Sequence, residues 1–464
     1  MAEIIQSVTQ EQWEALLSEL SSTLKNRDKV SLLRLIQQYH PEDIAEVIDE
    51  LDFDKIVEIV RTVLLSDVTY CAELMLALEP ATIARMYAHL KAPEWAVIFQ
   101  ELSDDDAVYI LDLFPDPARE QLVSRMPGEE QEDLRQLMNY PEESAGRIMT
   151  TEFLSLDQSA TVENAIELLR ANKDIDPVNL MFLYVTEKEK LVGMVSLRQL
   201  LLSKRTAKLK SFMRTDVIGV HVDMDQEEVA DIVSRHDEVT VPVVDDQDQI
   251  QGIITVDDVI DVIQDETSED LFQLIGSSDE ELLVRDNTMK IVSLRLPWIL
   301  TSFFGSLMVV LIMRYTERDV FGEDAARIFT FVPMISAMGG NVGVQSSTIM
   351  ARLLSSSTPN WKEARTSTMK EARVGLTLGL ICGALIGLIA YFWGGIGLLV
   401  TVMTAMTCTL TAAATTGTII PIAMKRLGFD PALATGPFVT SFNDFVAVCV
   451  YFSIVYMLRD YLQF

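Results

Sequence analysis

One acidic residue, Asp444, lies within an apolar stretch, residues 434–458, that is long enough to cross a bilayer as a helix. A charged side chain near the membrane midplane costs at least about 2.5–3.5 kcal/mol on insertion scales. No Lys or Arg lies within a helical turn of Asp444 to offset that cost. We therefore expect its carboxylate to face water, a cation or the protein interior.

A second set of carboxylates lies in the predicted helix TVDDVIDVIQDETSED. Four acids spaced three, four and four residues apart share one face of it: Asp258, Asp261, Asp265 and Glu269. Each like-charge pair at such a spacing destabilises a helix by about 0.2–0.5 kcal/mol, and no Lys or Arg occurs between Arg235 and Arg285. Bound divalent cations would relieve the repulsion, and Mg²⁺ prefers oxygen ligands of this kind. The alternative is an acidic face that is only solvated.

The net charge of −32 is unevenly distributed along the 464 residues. Residues 1–284 carry 23 basic and 59 acidic side chains, whereas residues 285–464 carry 14 basic and 10 acidic ones. An acidic part of this size repels nucleic acid and attracts cations. Solubility alone is the other explanation of such a surface.

No catalytic constellation is visible, so we predict that the chain is not an enzyme. The sequence has no nucleophile–base pair, phosphate-binding loop or zinc-ligand spacing, and its four cysteines follow no metal or disulfide pattern. The N-terminus lacks the basic and apolar regions of a signal peptide, so we expect it to lie in the cytosol.

The elements that must position these acids form a multidomain, mainly helical architecture. Residues 1–140 contain short segments with apolar positions three and four apart, which end at Pro or an acidic cap, as in an all-α helical-repeat domain. Residues 141–266 contain two similar passages, each predicted as strand, helix, strand, strand and helix. These passages resemble a tandem α/β CBS pair, a regulatory module that binds adenine nucleotides or metal ions.

The rest of the chain is predicted to connect to the membrane and cross it. Residues 267–295 form an acidic linker and connector (plug) helix, and residues 296–464 an α-helical membrane domain. Five apolar segments are long enough to span a bilayer: 296–314, 325–353, 374–393, 396–424 and 432–458. Basic residues in loop 352–373 and at Lys425 and Arg426 place these loops, and the N-terminus, inside and the C-terminus outside.

Two polar features interrupt the apolar spans. The sequence MGGN, with Gly339, Gly340 and Asn341, predicts a break in the second span, which is tolerated only where backbone is buried or lines a water-filled cavity. Five threonines share a stripe in the fourth span: Thr404, Thr407, Thr411, Thr415 and Thr418. Such a stripe favours tight helix packing over a pore lining, although both interpretations stay open.

Taken together, the chain resembles the MgtE family of magnesium channels over essentially its whole length. The phrases that carry the resemblance are YPEESAGRIMT, TVDDVIDV, ETSEDLFQLIG, MGGNVGVQSST and KRLGFDPALATGPFVTSFND. The resemblance implies a homodimer in the cell (inner) membrane, with the pore on the two-fold axis. It implies that Asp444 of each subunit is the pore acid, near Gly339, Gly340 and Asn341.

The resemblance further implies that Mg²⁺ is both cargo and regulator. Mg²⁺ bound to the cytosolic domains closes the pore in this family, and ATP at the CBS cleft is a second ligand of some members. By motif, the regulatory acids are Glu73, Asp105, Asp225, Glu227, Asp237, Asp258, Asp261, Glu266, Glu269 and Asp270.

Two other functions stay open at this stage. One is a channel mainly for another divalent cation such as Mn²⁺ or Co²⁺, although no Cys or His lies near Asp444 to favour a soft metal. The other is a CBS nucleotide sensor with a membrane anchor, against which the acid within the last span and the predicted break in the second span both argue.

Overall fold

The computed structural model describes residues 10–26, 28–173, 175–278, 281, 288–317, 325–354, 361–434 and 436–462. The chain forms two compact units, Met1–Ile263 and Gln264–Phe464. The described part of the first unit combines helices with two small sheets, whereas that of the second is helical.

Short helices build the beginning of the first unit. Their bounds are α1 Gln10–Lys25, α2 Lys29–Ile36, α3 Pro41–Ile48, α4 Phe53–Leu64, α5 Val68–Ala77, α6 Pro80–Met86, α7 Ala92–Phe99, α8 Asp104–Asp112, α9 Asp116–Val123 and α10 Gly128–Met138. Apolar residues three and four apart give each helix one buried face. The core includes the fully buried Trp95, whose ring stacks on Phe99 and meets Phe114 edge-on. The predicted helical N domain is confirmed.

Two three-stranded sheets follow and repeat one topology. The first contains β1 Ser155–Asp157, β2 Phe182–Glu187 and β3 Lys190–Ser196, with helices α11 Val162–Ala171 and α12 Leu197–Leu202. The second contains β4 Val220–His221, β5 Thr240–Val244 and β6 Ile250–Thr255, with α13 Gln226–His236 and α14 Val256–Ile275. In each sheet the first strand is parallel and the third antiparallel to the middle strand. The predicted tandem CBS pair is therefore confirmed.

A buried ion pair holds α8 against the segment that enters the CBS pair. The Arg147 side chain is 6% exposed, and its Nε donates to Asp112 Oδ2 at 3.0 Å while Nη2 donates to Asp112 Oδ1. Arg119 Nη1 donates to the same Oδ1 at 3.1 Å. Paired charge-assisted bonds of this kind fix orientation as well as distance. These bonds fix the C-terminal end of α8, whereas its three leading acids lie at the N-terminal end.

The described part of the second unit contains helices, most of them long and apolar. They are α15 Thr288–Thr316, α16 Ala325–Phe329, α17 Val332–Leu354, α18 Trp361–Arg426 and α19 Gly436–Leu462, with a 3₁₀ turn at Ala432–Ala434. Among the described residues, α15, α18 and the segment Gly436–Leu458 are long and apolar enough to cross a membrane. Helix α18 has 66 residues and bends at Gly395, where φ is 76°. The bend lies between the third and fourth predicted spans.

The two limbs of α18, residues 361–394 and 396–426, pack closely along a row of glycines. Gly375, Gly379, Gly383 and Gly387 recur every four residues, and a Cβ built on any of them would lie within 3.4 Å of the opposite limb. Thr407 Oγ1 donates to the Gly379 carbonyl at 3.1 Å. Small residues at helix contacts allow such close approach in membranes. For Thr407, part of the predicted threonine stripe, packing is therefore the better explanation.

The prediction of a broken helix at MGGN is wrong. Helix α17 runs without interruption through Gly339, Gly340 and Asn341, and the irregular backbone lies before it, at residues 330–331. The two glycines instead face α19, where any side chain would crowd the neighbouring helix. Glycine in membrane helices allows close helix packing, and the contacts of Gly339 and Gly340 with α19 favour this role.

Candidate functional site

Asp444 of α19 is half-buried against α17. Ser336 Oγ of α17 donates a hydrogen bond of 2.7 Å to Asp444 Oδ1. One turn further along α17, a Cβ built on Gly340 would lie 3.3 Å from the same Oδ1 and 3.4 Å from Thr440 Cγ2. Within the described residues, Asp444 Oδ2 has no hydrogen-bond partner. One oxygen is thus held by the protein, and the other remains available to a cation or its water shell.

The other residues predicted for this site fall on two faces of α17. A Cβ built on Gly339 would lie 3.2 Å from Cβ of Ala447, which is buried one turn beyond Asp444. Asn341 is exposed on the surface of this single chain. The structure therefore brings Gly339, Gly340 and Asp444 to one helix crossing and leaves Asn341 on the adjacent open face.

A second cluster of carboxylates forms where the first turn of α8 meets the first turns of α14. Burial raises the pKa of Asp105 well above its usual range, and the negative charges of Asp258 and Asp106 raise it further. Burial also raises the pKa of Asp258 to about 7, with Asp257 and Asp106 adding to the effect and a hydrogen bond from Thr255 opposing it. Two helices that are far apart in sequence, α8 and α14, thus share one acidic cluster.

The flanking acids of the cluster show the same mutual repulsion. The pKa of Asp106 is raised by burial and by Asp257 and Asp261, although a hydrogen bond from Ser103 lowers it. The pKa of Asp261 is raised by burial, then by Asp257 and Glu42. Every shift has the direction expected of carboxylates that crowd one another without a compensating cation.

The donor set of this cluster fits a hydrated hard cation. All its ligand atoms are carboxylate oxygens, the kind that Mg²⁺ and Ca²⁺ prefer, and Asp105 Oδ1 is buried without a hydrogen-bond partner. Among the described residues, however, no three His, Cys, Asp or Glu side chains converge closely enough to enclose a bare ion. Mg²⁺ usually keeps several waters when proteins bind it, so the wider spacing suits an ion held partly through its waters.

A smaller acidic pair lies in the second unit. Burial raises the pKa of Asp270, near the end of α14, and the charge of Asp430, in the loop between α18 and α19, raises it further. Asp270 was among the residues predicted for regulation, whereas Asp430 was not. Asp430 Oδ1 accepts a hydrogen bond from the Ala432 N–H in the turn of the sequence FDPALATGP. The sequence alone indicates this turn but does not indicate that Asp430 lies near Asp270.

Four predicted regulatory residues lie apart from the cluster in α8 and α14. Glu73 is exposed on α5. The pKa of Tyr70 is raised mainly by burial of its side chain and then by the charge of Glu73. Asp225 caps the start of α13 by accepting from the Glu227 N–H at 2.9 Å, and Asp237 ends that helix with a φ of 52°. Twelve residues of helix separate Asp225 from Asp237 by about 18 Å, so one ion does not bind to both.

The remaining two predicted residues, Glu266 and Glu269, lie in the second half of α14. Glu269 Oε1 accepts from Gln273 Nε2 at 2.7 Å, one turn further along the helix. Both residues interact with neighbouring groups within the described chain. The acidic face of α14 is thus divided: its first turns contribute to the cluster with α8, and its last turns lie near Asp430.

Known proteins match this architecture segment by segment. The family model described as the MgtE intracellular N domain matches residues 39–143, CBS domain models match residues 145–204 and 209–265, and the MgtE model, described as a divalent cation transporter, matches residues 332–454. The magnesium transporter MgtE of Bacillus subtilis (strain 168) is 34% identical over 356 residues, which are 76% of this chain and 78% of that protein. The chain belongs to the MgtE family.

Two further MgtE proteins extend the comparison over nearly all of the chain. The magnesium transporter MgtE of Thermus thermophilus is 30% identical over 455 residues, which are 96% of this chain and 99% of that protein. The cytosolic domain of the Mg²⁺ channel MgtE, solved in complex with ATP, superposes with a TM-score of 0.50 and 30% identity over 53% of this chain and 99% of its own.

The candidate sites contain five acids or hydroxyls that the sequence analysis did not predict. They are Asp106, Asp257, Ser336, Thr440 and Asp430. Asp106 and Asp257 could have been predicted from the sequence, because Asp106 follows the predicted Asp105 and Asp257 precedes the predicted Asp258. Ser336 carried none, because its role depends on a contact with a residue 108 positions away.

The raised pKa values predict that the acidic cluster of α8 and α14 is less stable at neutral pH than in mild acid when Mg²⁺ is absent. The pKa of Asp258 is raised from its ordinary 3.8 to about 7. Its favourable contribution to folding is therefore complete below pH 4 and is lost as pH rises towards 7. We expect the unfolding midpoint of the full chain in chelator, followed by circular dichroism, to fall across this range. Asp258→Ala should flatten the dependence, and an unchanged slope in that variant would contradict the assignment.

Proposed function

We propose that the chain is a Mg²⁺-selective channel that mediates Mg²⁺ uptake. The observation that carries the proposal is Asp444, whose carboxylate is fixed by Ser336 at a close crossing of α17 and α19 inside the segment that matches the divalent cation transporter model. The similarity to magnesium transporters of Bacillus subtilis and Thermus thermophilus supports Mg²⁺ as the cargo. A half-buried carboxylate with one free oxygen attracts a divalent cation and binds it through water, so the ion need not lose its whole hydration shell.

The pore is proposed to form between two copies of the chain. A single Asp444 supplies one negative charge, whereas the same residue in two subunits facing an axis supplies two, which matches the charge of Mg²⁺. Asn341 and Gln345, exposed one turn apart on α17, would then face this axis. We further propose five membrane crossings, with the N-terminus cytosolic and the C-terminus outside, because the basic residues near Arg365 and Lys425 belong inside.

Closure is proposed to depend on the acids of α8 and α14. Asp105, Asp106, Asp258 and Asp261 repel one another when they approach, as their raised pKa values indicate. Neutralisation of these acids by bound Mg²⁺ favours the compact arrangement, so abundant Mg²⁺ shifts the population towards it. Asp270 and Asp430 would respond to the same ion near the membrane domain. Because α14 continues from the CBS pair into the second unit, it can transmit this change.

ATP at the CBS pair is proposed as a second regulatory ligand. The solved cytosolic domain that this chain resembles was in complex with ATP. In this chain the two sheets of the pair are in contact, since the hydroxyl of Tyr184 in β2 lies 3.1 Å from Thr240 Oγ1 in β5. Equilibrium dialysis of the full chain with ATP tests this ligand.

Ser336→Ala should weaken Mg²⁺ conduction without preventing insertion. The hydroxyl holds one oxygen of Asp444, and hydrogen bonds to charged groups contribute about 1.5–3 kcal/mol. We expect the half-saturating Mg²⁺ concentration for flux to rise about tenfold. Ser453→Ala on exposed α19 surface, where the hydroxyl only bonds the Cys449 carbonyl, is the matched control. Equal flux in both variants would show that Ser336 does not contribute to the conducting site.

A channel mainly for Mn²⁺ or Co²⁺ is the alternative, and flux of each ion into liposomes separates the two. A site that binds hydrated Mg²⁺ through carboxylate oxygens should pass Mg²⁺ in preference to Co²⁺, which favours nitrogen ligands, whereas such oxygens suit Mn²⁺ as well, so the Mn²⁺ flux decides. Greater flux of Mn²⁺ or Co²⁺ than of Mg²⁺ at equal concentration would favour the alternative.

A further inference from the structure

A fully buried amide, that of Asn443, lies where three helices of the second unit meet. Asn443 directly precedes Asp444 in α19 and is 0% exposed. Thr416 Oγ1, in the second limb of α18, donates a hydrogen bond of 2.5 Å to Asn443 Oδ1. The amide also rests on α17 at Gly343, where an added Cβ would lie 2.6 Å from Asn443 Cγ. We name Asn443, Thr416 and Gly343 together the amide contact.

The backbones of α17 and α18 also approach closely at the amide contact. A Cβ built on Gly417 of α18 would lie 3.2 Å from Gly343 Cα. Small residues at helix contacts allow such an approach in membranes, and a larger residue at Gly343 would have to displace Asn443. The amide contact therefore seats α19 against α17 and α18 at once.

The stability of the helix packing alone does not favour an amide at this position. A polar group left unpaired inside a membrane is costly, and among the described residues Asn443 Nδ2 is buried without a hydrogen-bond partner. A flipped amide would let Nδ2 donate to Thr416 Oγ1 while that hydroxyl donates to the Ala412 carbonyl, 2.9 Å away. The link between α18 and α19 thus holds in either orientation, and one amide atom stays unpaired in both. A buried Asn at a helix contact typically fixes the register of the helices at a cost in stability.

The register of α19 determines where Asp444 lies. A slip of one residue would move each side chain of α19 by about 1.5 Å along the helix axis and turn it by about 100°. Because Ser336 Oγ lies 2.7 Å from Asp444 Oδ1, such a slip would break this bond and turn the carboxylate away from α17. The close approach of Ala447 to Gly339, one turn further along α19, belongs to the same register.

We propose that Asn443 is a positioning residue of the conducting site. Its amide, bound by Thr416 and seated on Gly343, fixes the register of α19 and thereby presents Asp444 to the ion. This role rests on the proposed function, in which Asp444 binds the cargo, whereas the register itself is independent of conduction. The two can therefore be measured separately.

A disulfide cross-link between α17 and α19 measures the register. A Cβ on Gly339 would lie 3.2 Å from Ala447 Cβ, close to the roughly 3.5–4.5 Å that a disulfide spans. Gly339→Cys with Ala447→Cys should thus cross-link when the purified full chain is mildly oxidised, as followed by mass spectrometry of the cross-linked peptide. Adding Asn443→Leu should slow cross-linking about threefold or more, the effect of a typical hydrogen bond between membrane helices. Adding Thr377→Val, the control, removes a hydroxyl that bonds the Arg373 carbonyl of its own helix and should leave the rate unchanged.

Mg²⁺ flux into liposomes tests whether the register serves the site. Thr416→Val keeps the shape of the side chain without its hydroxyl, and should raise the half-saturating Mg²⁺ concentration about threefold or more. Thr416→Ser keeps the hydroxyl and should retain the unmodified value. Asn443→Leu should raise this concentration without lowering the unfolding midpoint in detergent, because Leu leaves no polar group unpaired. A residue that only supported folding would change the maximal flux per chain and not the half-saturating concentration.

Each result decides a separate part of the proposal. An unchanged cross-linking rate in the Asn443→Leu variant would overturn it, as would absence of the cross-link between positions 339 and 447 in the first place. Equal half-saturating concentrations in Thr416→Val and Thr416→Ser would overturn the link to Asp444. If the unmodified chain carries no Mg²⁺, the proposed function fails, whereas cross-linking still decides whether Asn443 fixes the register.

Discussion

Replacing Asp444 with Ala is expected to abolish Mg²⁺ flux into liposomes while leaving the protein folded and inserted. Two unit charges about 4 Å apart interact by about 4 kcal/mol at an effective dielectric of 20, and Mg²⁺ carries two charges. Loss of the carboxylate should therefore lower flux at least about 100-fold. The measurement is Mg²⁺ entry into liposomes loaded with a Mg²⁺-sensitive dye.

Two variants separate this effect from misfolding. Asp444→Asn keeps the size of the side chain and an oxygen that accepts from Ser336, so it should pack normally and still fail to conduct. Asp216→Asn removes an acid from the exposed surface of the first unit and should conduct like the unmodified chain. Flux in Asp444→Asn close to the unmodified level would place the conducting site elsewhere.

Replacing Asp258 and Asp261 with Ala should leave conduction intact and weaken closure by Mg²⁺. Both carboxylates belong to the cluster of α8 and α14, where burial and the neighbouring acid Asp257 raise their pKa values. With fewer carboxylates to neutralise, the compact arrangement gains less from bound Mg²⁺. We expect the cytosolic Mg²⁺ concentration for half-closure to rise about tenfold or more, measured from currents in excised patches.

The matched control is Glu132→Ala with Glu167→Ala, which removes two exposed acids from other helices of the same unit. It changes net charge equally, so it should leave the half-closing concentration unchanged. If the cluster variant abolishes conduction, these acids serve the pore itself. If control and cluster variants shift closure equally, only the overall charge of the unit matters.

Local properties of the sequence predicted the charged residues of the candidate sites. They did not predict the residues that position those charged side chains through hydrogen bonds. Asp444 was recognisable because an acid in an apolar stretch carries a cost that its neighbours do not offset. The acidic face of α14 was recognisable from spacing alone. Ser336 was not, since a serine on an apolar helix is common and its role comes only from the contact with α19.

The wrong prediction of a helix break at MGGN has a physical reason. Adjacent glycines at 339 and 340 favour either a helix break or close packing, and the approach of Ala447 and Asp444 decides for packing. Asp225 and Asp237, which stay predicted regulatory residues, lie at opposite ends of α13. An acid at a helix N-terminus, such as Asp225, accepts from backbone N–H groups, and sequence spacing does not separate this structural role from ion binding.

The most direct test of the account is the current through excised patches that contain the purified chain, recorded while Mg²⁺ on the cytosolic side is raised. The account predicts Mg²⁺ current at low cytosolic Mg²⁺, progressive closure as the concentration rises, and closure at higher concentrations in the Asp258→Ala and Asp261→Ala double variant. A current that is insensitive to cytosolic Mg²⁺, or equally sensitive in the double variant, would contradict the link between the acidic cluster and the pore.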